Sequence, residues 1–224
     1  MRKLRLEFQK KGPSIYISHL DLMRTFQRAF QRAKLPIRHT EGFNPHAFIS
    51  IALPMSVGFQ SDCELLDFQL LDETPMEEVV VRLNAVLPAG IVVIACREAR
   101  RSFRELVYVR YQIELLYDQG VPENAKGKIE ALLQRDSLMI EKKGKKAGRG
   151  KALVLTNIAP LIQSASLTQE RNVLRLDTVL RAQEPGINPR YLIKAIEQYE
   201  GEACPDFFRC HRKAIYDSEM KIFL

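Results

Sequence analysis

Alternation of apolar and polar residues, interrupted by stretches of helical spacing, divides the first hundred residues into six predicted elements. Leu4, Leu6 and Phe8 alternate with polar residues, which predicts a half-buried strand at the start. The remaining predicted elements are a helix from 18 to about 34, strands over 47–52 and 66–70, a helix over 75–86 and a strand over 91–96. The order βαββαβ is that of the ferredoxin-like unit.

The second half of the chain has a similar predicted pattern. We expect a linker over 97–104 and a polar loop over 164–172, because neither stretch has a clean period. The predicted elements are strands over 108–117, 138–143, 151–156, 173–180 and 207–216, and helices over 122–135 and 188–199. The order is ferredoxin-like if one strand of the 138–156 hairpin is an addition. We therefore predict an α+β protein with two ferredoxin-like halves in tandem, over 1–98 and 105–224.

The first predicted helix has both a defined start and a basic face. Ser18 and Asp21 have the spacing of a capping box, in which the hydroxyl accepts from the amide of Asp21 and the carboxylate from the amide of Ser18. Basic residues recur every fourth position on one face of the helix: Arg24, Arg28 and Arg32. No acid stands four residues from any of them, so we expect this stripe to lack counter-ions and to bind an anion. The alternative is a solvent-exposed face.

Positive charge is concentrated at two places. Residues 1 to 46 contain ten Lys or Arg and three Asp or Glu, a net charge of +7. The whole chain of 224 residues has the same net charge, +7. The second place is the predicted hairpin loop, with six bases and no acid in ten residues: Lys142, Lys143, Lys145, Lys146, Arg149 and Lys151. These clusters favour nucleic acid as the anion and RNA as a partner, with the stripe and the loop binding phosphates.

The composition, 46% hydrophobic and 27% charged, is typical of a soluble globular protein. We see neither a signal peptide nor an apolar run long enough to span a bilayer, so we expect a cytoplasmic protein without a membrane partner. The cysteines at 63, 96, 204 and 210 are expected to be reduced. Cys204, Cys210 and His211 lack the usual metal-ligand spacing, and we predict neither a metal nor a cofactor.

Acid–base chemistry has one candidate pair. His19 lies near Tyr16 and could act with it in a metal-independent ribonuclease, because imidazole titrates near neutral pH. No nucleophile or carboxylate at recognisable spacing completes such a site. For His19 and for His46 we therefore favour a structural or binding role, and we predict no catalytic residue.

Four motifs together resemble one family. They are Tyr16-Ile-Ser-His-Leu-Asp-Leu-Met-Arg24, Arg32-Ala33-x-Leu35-Pro36, Glu41-Gly42-Phe43-Asn44-Pro45-His46 and Ala52-x-Pro54-x-x-x-Gly58-x-x-Ser61-x-x-Glu64. The chain is similar here, most strongly over residues 1 to 72, to the bacterial radical-SAM-associated family, a domain of unknown function found free-standing or fused behind a radical SAM enzyme. The resemblance carries no residue roles. The motif positions without an assigned role are Ser18, His19, Asp21, Asn44, Pro45, His46, Gly58, Ser61 and Glu64.

The resemblance implies a radical SAM enzyme as the partner. The chain itself lacks the three closely spaced cysteines that hold the cluster of such an enzyme. We therefore expect an accessory subunit that binds RNA for that partner. The alternatives left open are the ribonuclease with His19 and Tyr16, and an adaptor that binds only protein.

Overall fold

The computed structural model describes residues 1–143 and 153–224, and its fold is mixed α+β. The helices are α1 (His19–Arg32), α2 (Met76–Asn84), α3 (Ala125–Leu133) and α4 (Arg190–Tyr199). The strands are β1 (Arg2–Lys10), β2 (Ile49–Ile51), β3 (Gln60–Leu70), β4 (Ile91–Glu98), β5 (Tyr108–Leu116), β6 (Met139–Lys143), β7 (Leu153–Asn157), β8 (Ile162–Glu170), β9 (Val173–Arg181) and β10 (Phe207–Tyr216). Across the described ranges, every helix is too short or too polar to cross a membrane.

The chain divides into two compact units. The first contains residues 1–106, 211–215 and 221–224, and the second contains residues 107–210 and 216–220. Strand β10 therefore contributes residues to both units, and neither unit is one continuous stretch of sequence.

The first unit has the strand order β4-β1-β3-β2, with antiparallel pairing throughout. Residues 211 and 212 of β10 pair in parallel with the start of β3. The apolar face of α1 packs on the sheet, because its residues at helical spacing meet the inward positions of the strands. Phe26 lies edge-on to Phe8 at 4.7 Å between ring centroids, and Phe30 lies 4.9 Å from Phe68. All four rings are buried.

In the second unit the strand order is β10-β5-β9-β8, and β6 and β7 form a separate antiparallel hairpin. The predicted hairpin arms are confirmed, while the loop residues 144–152 lie outside the described residues. The predicted loop over 164–172 is wrong, because residues 162–170 form β8, paired along its length with β9. Within β8 only Leu167 is buried, and Ser, Thr and Gln side chains face solvent. The sequence of this edge strand therefore shows little of the apolar alternation by which a strand is recognised.

Candidate phosphate-binding site

One face of α1 and the loop over 39–47 enclose a cavity of about 260 Å³. The cavity is lined by Arg24, Gln27, Arg28, Gln31, His39, Pro45, His46 and Ala47. The four residues from α1 are spaced i, i+3, i+4 and i+7, which places them on a single helix face. The helix and the Asn44-Pro45-His46 motif, separate in sequence, therefore meet at one site.

The start of α1 is fixed by its N-cap. The hydroxyl of Ser18 accepts from the amide of Asp21 at 3.1 Å, as predicted, and itself donates to the Asp21 carboxylate at 2.7 Å. The carboxylate was expected to bond to the amide of Ser18, but it accepts from the hydroxyl instead. This hydrogen bond, more than the nearby Arg24, lowers the pKa of Asp21. The acid stays ionised at the positive end of the helix, where a negative charge is favourable.

The three arginines of the stripe have different environments. Arg24 lies 3.3 Å from Asp21, so the expectation that the stripe lacks counter-ions is wrong for this residue. The counter-ion is three residues away, a spacing that also places two side chains on neighbouring helix positions. Arg28 forms no ion pair or side-chain hydrogen bond within the described residues. Arg32 is outside the cavity and donates to the carbonyl of Val86 at 2.8 Å.

The loop opposite α1 is held by backbone contacts. Residue Ile37 forms an isolated bridge with Leu70 of β3, and His39 forms another with Ala47. The Thr40 amide donates to the carbonyl of His46 at 2.8 Å. These contacts fix the backbone of the loop, and the two exposed histidines line the cavity.

Both imidazole rings use one nitrogen to bind the backbone. The Nδ1 of His39 is 3.0 Å from the carbonyl of Ile37, and the Nδ1 of His46 is 3.2 Å from the carbonyl of Asn44. A carbonyl can only accept, so we assign the ring proton of His39 to Nδ1. The Nδ1 of His46 also lies 3.1 Å from the Thr40 hydroxyl, which can donate to it, so the contacts of this ring are compatible with either tautomer. Nε2 is then the nitrogen that remains for a ligand in both rings.

Several other predicted site residues that the structure describes are not at this cavity. Tyr16 is 70% exposed and His19 is half-buried, and among the described residues no hydrogen bond joins them. Lys142 donates to the carbonyl of Gly186, and its ammonium lies 5.7 Å from the centroid of the Tyr191 ring. Lys143 ends β6. The remaining basic loop residues, Lys145, Lys146, Arg149 and Lys151, lie outside the described residues.

The last family motif is part of a buried polar core in the first unit. Glu64 and Ser61 are buried, and Arg212 donates to the Glu64 carboxylate at 2.7 Å and to the carbonyl of Leu53 at 3.0 Å. Leu53 has φ +46, which is costly for a branched side chain. Gly58 reaches φ +87 without that cost. Together these residues fix the course of the chain from 52 to 64 and lie away from the cavity.

A second cluster was not predicted, because its members are far apart in sequence. The Asp62 carboxylate contacts Lys11 Nζ at 2.7 Å, His211 Nε2 at 2.9 Å and the ammonium of Lys213. Burial raises the pKa of Asp62, but these three contacts outweigh burial and hold it well below its usual range. Burial also lowers the pKa of His211 despite the carboxylate. No group of three or more metal-ligating side chains lies within the described part of the chain.

The chain matches one family model and several solved structures. A family model described as "Uncharacterized protein conserved in bacteria (DUF2344)" matches residues 3–189. A comparison with curated proteins finds no match. Among solved structures, a Cbf5-Nop10-Gar1 complex is similar at 10% identity and a TM-score of 0.49, over 95% of this chain and 48% of that one.

Two further solved structures also match. An H/ACA RNP bound to a substrate RNA containing 2'-deoxyuridine matches at 11% identity and a TM-score of 0.47, over 97% of this chain and 48% of that one. An unknown protein from Galdieria sulphuraria matches at 10% identity and a TM-score of 0.27, over 94% and 98% of the two chains. This chain spans about half the length of the two RNP subunits.

Proposed function

The chain belongs to the family of uncharacterized proteins conserved in bacteria (DUF2344), and from that premise we propose that it is an RNA-binding accessory protein. The observation that carries the proposal is the cavity between α1 and the 39–47 loop, where two guanidinium groups and two imidazole rings meet. Guanidinium groups bind phosphate oxygens through paired N–H donors, which makes arginine well suited to phosphate recognition.

Charge supports an anionic ligand at this cavity. Arg28 has no acidic partner among the described residues, and Arg24 has only the exposed Asp21 at 3.3 Å. Surface pairs of this kind contribute about 0–1 kcal/mol, so a phosphate can replace the carboxylate at little cost. The excess of seven positive charges over residues 1–46 adds a longer-range attraction.

We also propose that the RNA is bound for a radical SAM enzyme. The support is the resemblance of the four motifs, from Tyr16 to Glu64, to the radical-SAM-associated family. The cysteines at 63, 96, 204 and 210 form no disulfide within the described residues and are widely spaced in sequence, so the cluster would belong to the partner. The test is affinity purification from the native bacterium with and without ribonuclease. Recovery of a protein with three closely spaced cysteines would support this proposal, and its absence from both samples would contradict it.

The strand orders support a finer description of the fold. The first unit has the order β4-β1-β3-β2, and the second has β10-β5-β9-β8. Counted in chain order within each compact unit, with the hairpin of β6 and β7 left out of the second, these are the fourth, first, third and second strands. This is the strand order of a ferredoxin-like βαββαβ fold. We propose that each unit is ferredoxin-like and that the hairpin of β6 and β7 is an insertion in the second.

RNA binding is tested by titrating a fluorescently labelled single-stranded RNA with the protein at several salt concentrations. The double variant Arg24→Gln/Arg28→Gln removes two cations from the cavity. If each arginine contacts one phosphate, the slope of log K against log[salt] should become less negative by about 1.4, that is, about 0.7 for each contact.

The matched control is Arg100→Gln, which removes a cation of the first unit whose side chain is 82% exposed and which does not line the cavity. We expect the control to keep the parental slope. Absence of salt-dependent binding by the parent protein would exclude the proposed function. Equal slopes for the parent and the double variant would exclude this cavity as the site.

A further inference from the structure

The cavity is small and its walls are mostly polar. Its volume is about 260 Å³, below the roughly 300–1,000 Å³ of pockets that enclose whole small molecules. The walls come from one helix face and one loop, and six of the eight lining residues carry polar side chains. A cavity of this volume and lining fits a charged group, such as a phosphate at the end of a larger ligand.

The hydrogen-bonding capacity of the walls points to a particular kind of phosphate. Arg24 and Arg28 can only donate, whereas Nε2 of His39 accepts when the ring is neutral. A phosphodiester inside an RNA strand carries one negative charge and no proton. A phosphomonoester carries about −1.5 to −2 charges at pH 7, has three free oxygens and retains a proton part of the time, since its second pKa is about 6. A monoester therefore satisfies the arginines and can also donate to an imidazole.

The glutamines on the same helix face add neutral donors. Gln27 and Gln31 line the cavity, and within the described residues neither side chain has a hydrogen-bond partner. Each amide has two N–H donors and one carbonyl, so it can bind a phosphate oxygen or a phosphate hydroxyl. Donors that converge from several side chains favour a group that presents three oxygens over one that presents two.

We propose that this cavity binds the terminal phosphomonoester of an RNA strand, an inference that rests on the proposed RNA-binding function. The chemistry is the same for a 5′-phosphate and a 3′-phosphate. The protein would then select strand ends, and the remaining cations would contact the internal phosphates that follow.

The test compares three 12-nucleotide RNAs of one sequence, labelled at an internal position, with a 5′-phosphate, a 3′-phosphate or hydroxyl groups at both ends. We expect one phosphorylated RNA to bind about tenfold more tightly than the hydroxyl-ended RNA at 0.1 M salt, and inorganic phosphate at millimolar concentration to remove the difference. The two phosphorylated RNAs show which end is recognised.

The variant Arg28→Gln should bind all three RNAs equally. The matched control Arg32→Gln changes the same residue type on the same helix, outside the cavity, and should keep the end preference. Equal binding of all three RNAs by the parent protein would overturn the inference while leaving RNA binding intact. A preference that persists in Arg28→Gln would overturn the assignment to this cavity, whereas no RNA binding at all would overturn the proposed function itself.

Discussion

Replacing Glu64 with Gln should strongly destabilise the first unit. Glu64 is 1% exposed and accepts from Arg212, which is 2% exposed, at 2.7 Å. Lys10 is also 2% exposed, and within the described residues its ammonium makes one long hydrogen bond, 3.5 Å to the carbonyl of Ile15. Glu64 is therefore the acid that stabilises two buried cations, and burial already lowers the pKa of Lys10.

The expected loss in free energy of unfolding is about 3 kcal/mol. Removing one partner of a buried ion pair costs about 3–5 kcal/mol, because the remaining charge is left uncompensated in a medium of low polarity. Glutamine keeps an oxygen that can accept from Arg212, and the second guanidinium nitrogen keeps its 3.0 Å hydrogen bond to Leu53. These remaining contacts place the loss at the lower end of that range.

The loss can be measured by urea unfolding followed by circular dichroism, with hydrogen exchange of β3 to isolate the first unit. The control is Glu41→Gln, which removes an acid that is 94% exposed and 3.9 Å from Arg38. An exposed pair of this kind contributes at most about 1 kcal/mol. If Glu64→Gln costs no more than the control, the buried pair is solvated and the reasoning is wrong.

Three other predictions concern a buried lysine, a closely packed glycine and a buried cysteine. Because the folded-state pKa of Lys10 is lowered, the unfolded chain binds more protons between that pKa and the ordinary value of 10.5, so stability should rise with pH across this window. Lys10→Met should remove the rise; a pH profile of stability identical to the parent's would contradict this. Gly90 has φ +89, and a Cβ there would lie 2.2 Å from a backbone carbonyl oxygen, so Gly90→Ala should cost about 3 kcal/mol or more in thermal unfolding. Gly127, inside α3 with open space around it, is the control, and its change to Ala should stabilise by about 0.5–1 kcal/mol. Burial raises the pKa of Cys63 to about 12, so very little of this thiol is ionised at pH 8. Iodoacetamide at pH 8 should therefore alkylate Cys63 on the order of 10³-fold more slowly in the folded protein than in the denatured chain. Peptide mass spectrometry measures the rate.

Strands and helices with one apolar face were predictable because their period is visible in the sequence. Strand β10 was predicted with its observed bounds, and α1 to within two residues of its end. Polar positions were less informative. Arg5 has the position of an outward residue in β1, yet it is 2% exposed, because Asp67 binds it at 2.7 Å and the Phe103 ring lies over it at 4.3 Å. The alternation in a strand cannot reveal what later segments place on its polar face.

The candidate site was predictable only in part. Arg24 and Arg28 were found from their spacing on one helix, which is local information. His39 carried no signal, since its place opposite α1 depends on bridges to the sheet and to Ala47. The ion pair of Arg212 with Glu64 joins residues 148 positions apart and could not be inferred from either neighbourhood.

The division of β10 between the two units has a consequence for synthesis on the ribosome. The first unit needs residues 211–215 and 221–224, and Arg212 is among them. Until these residues leave the exit tunnel of the ribosome, the guanidinium group of Arg212 cannot pair with Glu64. Glu64 and Lys10 are by then already part of the nascent polypeptide. The second unit has nearly all its residues by position 210. The part of the protein translated first is therefore the part completed last, and a fragment ending near residue 106 should need chaperone protection.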